Sequence, residues 1–347
     1  MLVIATGGTI AGVQDAPGTL GSYRAGTLTA EQIIASVPEL SRYAKVEAEQ
    51  FSNVASTLVT PEMWVKLAKR INVLLERKDL AGVVVTHGTD RLEETAFFLY
   101  LTVRSQKPVV VVGAQRPATG ISPDGPINLL AAVRTAASTK AVDKGVMVVM
   151  DDRILSARES RKLYQRTGGF STGDMGMLGV VASQGPEFFF APVRRFGTRS
   201  EFDLAGVDTL PRVELTMSYP GGTGQTFTTN PKGVVVATTG LTSAEGQTYR
   251  ALRQTGVVVV TSFTSGENVN GGGGGGDGPP PSAARPDSAA RRDTTARRDS
   301  TARPVVPPAP PAVTALHLTA TKARILLMLG LTRTKDPREI QRMFNEY

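Results

Sequence analysis

Short runs of valine and isoleucine recur along the first half of the chain, and segments with helical spacing separate them. The runs that carry this pattern are residues 2–5, 82–85, 109–112 and 146–150. An apolar run with no polar alternation is typical of a strand buried on both faces, as in a parallel sheet covered by helices. The pattern predicts an α/β fold with a doubly wound, mostly parallel sheet over residues 1–190.

Helix signals lie between these runs. Thr60 stands immediately before Pro61, and a threonine N-cap followed by proline at the first helical position marks a helix start. We expect that helix to reach about Arg77, and further helices over about 92–104 and 128–138. Because each helix follows one strand and precedes the next, the segment has the βαβ order of a parallel sheet.

The second half of the chain repeats this pattern on a smaller scale. Charged, irregular residues 191–212 are expected to link it to the first half, and a smaller C-terminal α/β domain is predicted over 213–347. Its predicted strands lie near 233–237 and 256–261, and its predicted helices near 244–254 and 321–331. A last short helix is predicted to start in a capping box of Asp336, Pro337 and Glu339.

A tract of different composition interrupts the second domain at about residues 270–312. It begins with the glycine run Gly271–Gly276, continues as an arginine-rich hexapeptide repeat and ends in proline-rich sequence. Such composition offers almost no apolar surface to bury, so disorder is predicted for the tract.

Composition narrows the chemistry. The chain has no cysteine, which excludes disulfides and thiolate catalysis, and its two histidines leave little material for a histidine-rich metal centre. The net charge of +8 is scattered and few aromatic residues accompany it, so nucleic-acid binding is not expected. No apolar run approaches the roughly 20 residues of a membrane span, so membrane insertion is not expected either.

The start of the chain bears on its location. Residues 1–6 enter an apolar strand pattern directly, without the basic segment and apolar stretch of a secretory leader. As written, the chain is expected in the cytoplasm. A periplasmic or secreted location is the alternative if an upstream leader is missing.

Polar, glycine-rich segments follow three of the predicted strands. They are Thr6–Gly12 (TGGTIAG), Thr86–Asp90 (THGTD) and Gly113–Pro117 (GAQRP). In a doubly wound sheet, ligands bind at the carboxyl ends of the strands, where these segments lie. A binding or catalytic site is therefore predicted at this edge, with the Thr9 hydroxyl facing it.

Each of these residues, taken alone, also has an ordinary structural interpretation. The segment around Thr9 fits a tight turn, and its spacing matches neither a dinucleotide-binding loop nor a Walker loop. Asp90, with Glu93 three residues on, can cap the next helix, and His87 is expected to pack rather than to act as a base. Lys162 by itself is typical of a solvated lysine.

Together, the motifs indicate a family. Four segments resemble the bacterial L-asparaginase family, with its type II-like asparaginases and glutaminase-asparaginases: TGGTIAG, VVVTHGTDRLEETAFF, PVVVVGAQRPATGISPDGPINL and the closing KARILLMLGLTRTKDPREIQRMFNEY. The resemblance covers nearly everything except about residues 264–315. It implies hydrolysis of L-asparagine to L-aspartate and ammonia, without metal or cofactor, in a homotetramer built from dimers.

The resemblance also implies catalytic roles at matching positions. Thr9 matches the nucleophile that forms an acyl-enzyme with the side-chain amide, and Tyr23 matches a tyrosine that closes over the site. Thr89 and Lys162 match a second hydroxyl–lysine pair, with Asp90 nearby. These roles are chemically coherent, because a threonine hydroxyl needs a base or a charge network to relieve it of its proton.

Further matching positions imply substrate binding. Ser56 and Asp90 match residues that hold the α-carboxylate and the α-amine, and Ala114 matches a position whose backbone carbonyl faces the amide. Thr57 stands where the family usually has glutamine or glutamate, which leaves the preference between asparagine and glutamine open. The family also uses a glutamate from a neighbouring subunit, and the low-complexity tract lies where that residue should be, with Glu267 the only nearby carboxylate of that kind.

Other functions stay open from the sequence alone. One is a glutaminase-asparaginase with broader specificity. The amidase-like subunit of a tRNA-dependent amidotransferase is related, but it would need a partner and an extra N-terminal domain. Another is a non-catalytic homologue that binds an amino acid, or that contacts an acidic partner through the arginine-rich repeat.

Overall fold

The computed structural model describes residues 1–16, 22–264 and 308–347, which form a larger and a smaller α/β unit. The strands of the larger unit are β1 (Leu2–Gly7), β2 (Val13–Gln14), β3 (Tyr23–Arg24), β4 (Glu47–Val54), β5 (Val83–Thr86), β6 (Val109–Val112), β7 (Val146–Met150), β8 (Arg153–Ser156), β9 (Arg161–Lys162), β10 (Phe170–Ser171), β11 (Gly179–Ala182) and β12 (Gly185–Phe188). Its helices are α1 (Ala30–Ala35), α2 (Pro61–Leu75), α3 (Leu92–Thr102) and α4 (Gly125–Ala137).

The main sheet has the strand order β12-β11-β8-β7-β6-β5-β1-β4. Strands β4, β1, β5, β6 and β7 pair in parallel. Strands β8, β11 and β12 extend one edge in antiparallel pairs. The predicted doubly wound, mostly parallel sheet is therefore confirmed.

The edge strand β4 differs from the other parallel strands. Its residues, Glu47–Val54, are half-buried or exposed along their whole length, whereas every residue of β5 and β6 is buried. An edge strand has one paired side and needs no continuous apolar run. The valine pattern therefore does not predict β4, although β4 supplies the neighbour that completes the sheet beside β1.

The smaller unit is a second parallel sheet with flanking helices. Its elements are β13 (Val213–Met217), β14 (Gly233–Thr238), α5 (Ser243–Gln254), β15 (Val258–Phe263), β16 (Val313–Thr314), α6 (Ala320–Gly330) and α7 (Pro337–Glu346). The strand order is β13-β14-β15-β16, and each pair is parallel. The smaller α/β domain is thus confirmed, with its third strand about two residues later than the pattern predicts.

The two units share one hydrophobic core. Helix α3 of the larger unit is buried on almost every face, which is typical of a helix enclosed between other elements. It packs between β7 and α6 of the smaller unit. In the connection between the units, Phe196 and Phe202 are buried against Tyr100 and Tyr347, with ring centroids 5.2 and 4.8 Å apart. The domain boundaries at 190 and 213 stay a prediction.

Two of the predicted helix caps differ in the structure. Asp336 caps α7 by accepting from the Arg338 backbone N–H at 2.9 Å, but Glu339 pairs with Arg342 rather than closing a box. A guanidinium on the same helix face is a stronger partner for a carboxylate than a backbone N–H. Arg91, not Asp90, occupies the N-cap position of α3.

Part of the predicted disordered tract, residues 270–307, lies outside the described residues, as does Glu267. Within the described ranges, no helix is long and apolar enough to cross a membrane.

Candidate active site

Two turns with the same Gly-Thr sequence meet at the carboxyl edge of the main sheet. The first Gly-Thr turn (Gly8–Thr9) follows β1, and the second (Gly88–Thr89) follows β5, its neighbour in the sheet. Gly8 has φ of 80°, and a Cβ on Gly8 would overlap the Cα of Gly88. A Cβ on Gly88 would lie 3.1 Å from Gly8 Cα. The two backbones touch because neither glycine has a side chain. A threonine follows each glycine directly in the sequence.

The first turn carries a buried hydroxyl with a phenolic partner. Thr9 begins a short 3-10 turn, is 6% exposed, and its Oγ1 lies 2.7 Å from the Tyr23 hydroxyl oxygen. Tyr23 belongs to β3, which pairs with β2 to form a small hairpin over the site. The ring packs on Gly12, where a Cβ would lie 2.7 Å from Tyr23 Cδ2. The expected neighbours Thr9 and Tyr23 are therefore in direct hydrogen-bond contact. Residues 17–21, which precede Tyr23, are outside the described ranges.

The second turn carries a hydroxyl held by a charge pair. The Lys162 ammonium donates to Thr89 Oγ1 at 2.8 Å and to Asp90 Oδ1 at 2.6 Å. The Lys162 side chain is 13% exposed, whereas that of Asp90 is 53% exposed. The Asp90 carboxylate is thus bound to lysine rather than to the start of α3, which is why the predicted cap fails, and its other oxygen faces solvent-accessible space.

A second carboxylate fixes the backbone at Lys162. The Lys162 N–H donates to Glu93 Oε2 at 2.6 Å. Glu93 lies in the first turn of α3, so the helix that follows Asp90 also positions the strand β9. Both the head and the backbone of Lys162 are therefore anchored to the segment around the second turn.

Ser56 and Thr57 lie in a 3-10 turn after β4. Ser56 is 5% exposed, and a Cβ on Gly88 would lie 2.8 Å from its Oγ. The structure therefore places the Ser56 hydroxyl against the second turn. Thr57, the next residue, has an exposed side chain.

Ala114 follows β6 and is completely buried. The backbone N–H groups of the next two residues donate to the Asp124 carboxylate, which holds this loop in one conformation. A Cβ on Gly125 would lie 3.1 Å from Ile10 Cγ1 and 3.5 Å from Ala114 Cβ. The loop after β6 thus packs beside the residue that follows Thr9.

His87 is a packing histidine, as the sequence predicts. It is 1% exposed, its Nδ1 lies 2.8 Å from the Gly88 carbonyl, and its Nε2 lies 3.0 Å from Thr95 Oγ1. The Trp64 indole N–H donates to the same threonine at 2.8 Å. A neutral His87 ring fits all three contacts: its Nδ1–H donates to the Gly88 carbonyl, and its Nε2 accepts from the Thr95 hydroxyl, which in turn accepts from Trp64. Burial lowers the pKa of His87 from 6.5 to about 4, so the ring is neutral at physiological pH.

Sequence reasoning overlooks one charged residue near the site. Lys322, in α6, is 1% exposed and donates to the carbonyl oxygens of Ala157, Arg158 and Ser160 at 3.0, 2.7 and 2.5 Å. These residues lead directly into Lys162. A lysine in the helix sequence KARILLML, which is apolar except for Lys322 and Arg324, is the signal that could have found it.

The arrangement suits nucleophilic attack on an amide. It combines a buried hydroxyl with a phenolic partner, a second hydroxyl that accepts from an ammonium, and a half-exposed carboxylate. Because Lys162 donates to Thr89 Oγ1, the Thr89 hydroxyl proton is directed to another acceptor. All these groups converge on two turns that touch.

Comparison with known proteins identifies the family of this chain. The family model "Asparaginase, N-terminal" matches residues 1–194. The chain belongs to the asparaginase family. L-asparaginase 2 of Bacillus subtilis is 38% identical over 99% of this chain and 86% of its own length. The glutaminase-asparaginase of Pseudomonas fluorescens biotype A is 37% identical over 100% of this chain and 90% of its own.

The structural similarity includes both units of the described chain. The crystal structure of a probable cytoplasmic L-asparaginase from Campylobacter jejuni superposes with a TM-score of 0.84 at 35% identity, covering 100% of this chain and 99% of the other. The resemblance drawn from the four sequence motifs is therefore confirmed. The related enzymes carry both asparaginase and glutaminase-asparaginase names. Similarity alone therefore does not show whether asparagine or glutamine is the preferred substrate.

Proposed function

We infer that this protein is an amidohydrolase that converts L-asparagine and water to L-aspartate and ammonia. The observation that carries this inference is the pair of Gly-Thr turns, which bring the Thr9–Tyr23 pair and the Thr89–Lys162–Asp90 group to one edge of an asparaginase-family sheet. The names of the related proteins support the same reaction. The roles of individual residues below are part of the proposal.

In the first half of the proposed reaction, Thr9 Oγ1 attacks the carbon of the side-chain amide. The attacking hydroxyl passes its proton to the Tyr23 oxygen, which lies 2.7 Å away, while Tyr23 gives its own phenolic proton to the amide nitrogen and so stays neutral. Backbone N–H groups of the glycine-rich turns stabilise the developing oxyanion. The carbon–nitrogen bond breaks, the nitrogen gains a proton and leaves as ammonia, and an ester to Thr9 remains.

In the second half, water hydrolyses that ester. The Thr89 hydroxyl is fixed by the Lys162 ammonium at 2.8 Å. This second hydroxyl hydrogen-bonds the departing ammonia and then the incoming water. Attack by water releases aspartate and returns the proton to Thr9 Oγ1. The Ala114 carbonyl is proposed to accept from the amide N–H₂ and so to position the reacting group.

The amino-acid end of the substrate needs one anion-binding and one cation-binding group. The Ser56 hydroxyl, beside Gly88, is proposed to donate to the α-carboxylate. Asp90 has one oxygen on Lys162 and a side chain that is 53% exposed, so its remaining oxygen is proposed to bind the α-ammonium. Thr57 is proposed to contact the same end of the ligand and to influence the choice between asparagine and glutamine.

The test is ammonia release from asparagine and from glutamine by the full chain and by Thr9→Val. Valine has the shape of threonine without the hydroxyl, so the fold should survive while kcat/KM on asparagine falls by at least about a thousandfold. Full activity of Thr9→Val would remove Thr9 from the mechanism. Calorimetric binding of aspartate without any turnover by the parent would favour the non-catalytic alternative.

We also propose that the protein assembles as a homotetramer built from dimers. Several large apolar side chains of the larger unit and the connection are exposed: Ile121, Leu163, Tyr164, Phe189, Phe190 and Val193. Exposed apolar groups of this size are typical of surfaces that bind another chain. Light scattering on the purified chain tests the assembly. The cytoplasmic location stays a prediction.

A further inference from the structure

Lys322 lies in an unfavourable environment for a charged group. It is almost fully buried and stands in the first turn of α6, where the helix dipole disfavours a positive charge. The Phe97 ring lies 5.7 Å from its Nζ. Burying an ammonium costs several kcal/mol unless its donors are satisfied, so a specific set of partners has to compensate.

The compensating partners are three backbone carbonyls of one loop. An ammonium has three N–H donors, and Lys322 directs them to the oxygens of Ala157, Arg158 and Ser160 at distances of 2.5 to 3.0 Å. The charged groups around it are Glu93, Glu159, Arg161 and Arg158. Lys322 therefore acts as a three-pronged clamp on residues 157–160.

The loop held by Lys322 leads to Lys162, the lysine that donates to the second Gly-Thr turn. Only one residue, Arg161, separates Ser160 from Lys162, whose ammonium reaches Thr89 and Asp90. Glu93 holds the Lys162 backbone from one side, and the clamp holds the preceding residues from the other. A loop released at 157–160 would let Lys162 move away from Thr89 Oγ1.

We propose that Lys322 is a positioning residue for the reaction, through which the second domain sets the placement of Lys162 in the same chain. It touches no reacting atom and acts only through the backbone of residues 157–160. The proposal rests on the function proposed above, because it takes Lys162 and Thr89 as part of the machinery.

The experiment measures kcat and KM for asparagine in Lys322→Met and Lys107→Met. Lys107 is the matched control, because it also donates to two backbone carbonyls, those of Leu75 and Arg77 at 2.9 and 2.6 Å, but at the end of α2. We expect Lys322→Met to lower kcat by about tenfold or more and to change KM by less than about threefold. Lys107→Met should lower the unfolding midpoint and leave kcat within about twofold of the parent.

Chemical rescue separates positioning from loss of stability. The chain has no cysteine, so Lys322→Cys carries a single thiol. Alkylation of that thiol with bromoethylamine in denaturant, followed by refolding, restores an ammonium on a side chain of the same length. The parent taken through the same treatment is the control. We expect the alkylated variant to regain most of the lost kcat.

A folded Lys322→Met with kcat within about twofold of the parent would overturn the proposal. If Lys322→Met does not fold, Lys322→Gln, whose amide keeps two donors, decides by the same criterion. Full activity of Thr9→Val or Lys162→Met would instead count against the proposed function, so the two failures are distinguishable.

Discussion

The two Gly-Thr turns share a sequence, an edge of the sheet and a backbone contact, yet their threonines are supported differently. Thr9 is bonded to Tyr23, an uncharged partner on a two-residue strand of a small hairpin. Thr89 is bonded to Lys162, whose charge is paired with Asp90 and whose backbone is held by Glu93. The first turn depends on a local hairpin. The second depends on α3 and β9 and, through the proposed role of Lys322, on α6 of the smaller unit.

This difference suits the two proposed tasks. A nucleophile has to gain and lose a covalent bond, and a neutral partner on a small hairpin allows the substrate to enter before the site closes. A hydroxyl that acts on the leaving nitrogen and on water gains most from a fixed position, because a preorganised ammonium such as that of Lys162 costs no reorganisation during the reaction. The comparison can be tested by removing each support in turn.

Among changes to the partners of the two threonines, Lys162→Met is expected to have the largest effect. The change removes the donor to Thr89 and leaves the Asp90 carboxylate without its cation, so kcat/KM on asparagine should fall by about a thousandfold. Steady-state ammonia release measures it. Lys140→Met is the control, because it removes a surface ion pair with Glu187 in the same domain and should leave activity unchanged. A loss smaller than about tenfold would mean that the second turn works without its lysine.

Tyr23→Phe should have a smaller effect. It removes the phenolic partner of Thr9 but keeps the ring on Gly12, so kcat should fall by roughly ten- to a hundredfold with little change in KM. Tyr43→Phe, at an exposed position where Arg134 stacks on the ring, controls for the substitution itself. A Tyr23→Phe variant as impaired as Thr9→Val would make the two turns equally dependent on their partners and would remove the contrast between them.

The smallest effect on activity is expected from His87→Gln, which instead alters the pH dependence of stability. The pKa of His87 is lowered from 6.5 to about 4 by burial, so between these values the unfolded chain binds a proton that the folded chain does not. The stability associated with the neutral ring is present above pH 6.5 and is lost as the pH falls toward 4. The loss amounts to about 3 kcal/mol, from about 1.4 kcal/mol per pKa unit.

Urea unfolding at pH 7 and at pH 4 checks this prediction for the parent and for His87→Gln. The parent should lose about 3 kcal/mol more than the variant between the two pH values, because glutamine does not titrate. Equal losses in the two proteins would show that His87 does not carry the linkage.

Most of the fold could be predicted from local patterns, whereas the roles of the site residues were implied by the family resemblance and stay predictions. The apolar runs at 82–85 and 109–112 identify strands buried on both faces, and Thr60 with Pro61 marks the start of α2. The glycines before Thr9 and Thr89 indicate turns at strand ends. The placement of both turns beside each other follows from the strand order, which adjacent βαβ units favour.

The parts that could not be predicted depend on contacts between distant residues. Asp90 looks like a helix cap until Lys162, 72 residues away, supplies a stronger partner. The carbonyls that Lys322 binds lie more than 160 positions away in the sequence. The sequence of residues 157–160 does not indicate that their carbonyl oxygens accept from a distant ammonium. The polar strand β4 is recognisable only once its neighbour β1 is in place.

The contact between Gly8 and Gly88 has a consequence for engineering. A library that seeks a new amide specificity should leave both positions unchanged. A side chain on Gly8 would overlap the Gly88 backbone, and one on Gly88 would come within 2.8 Å of the Ser56 side chain and 3.1 Å of Gly8 Cα. The room for diversity lies instead at Thr57, which is exposed one position beyond Ser56. Designers who want a different substrate should therefore treat the paired turns as one inseparable unit and randomise the rim around it.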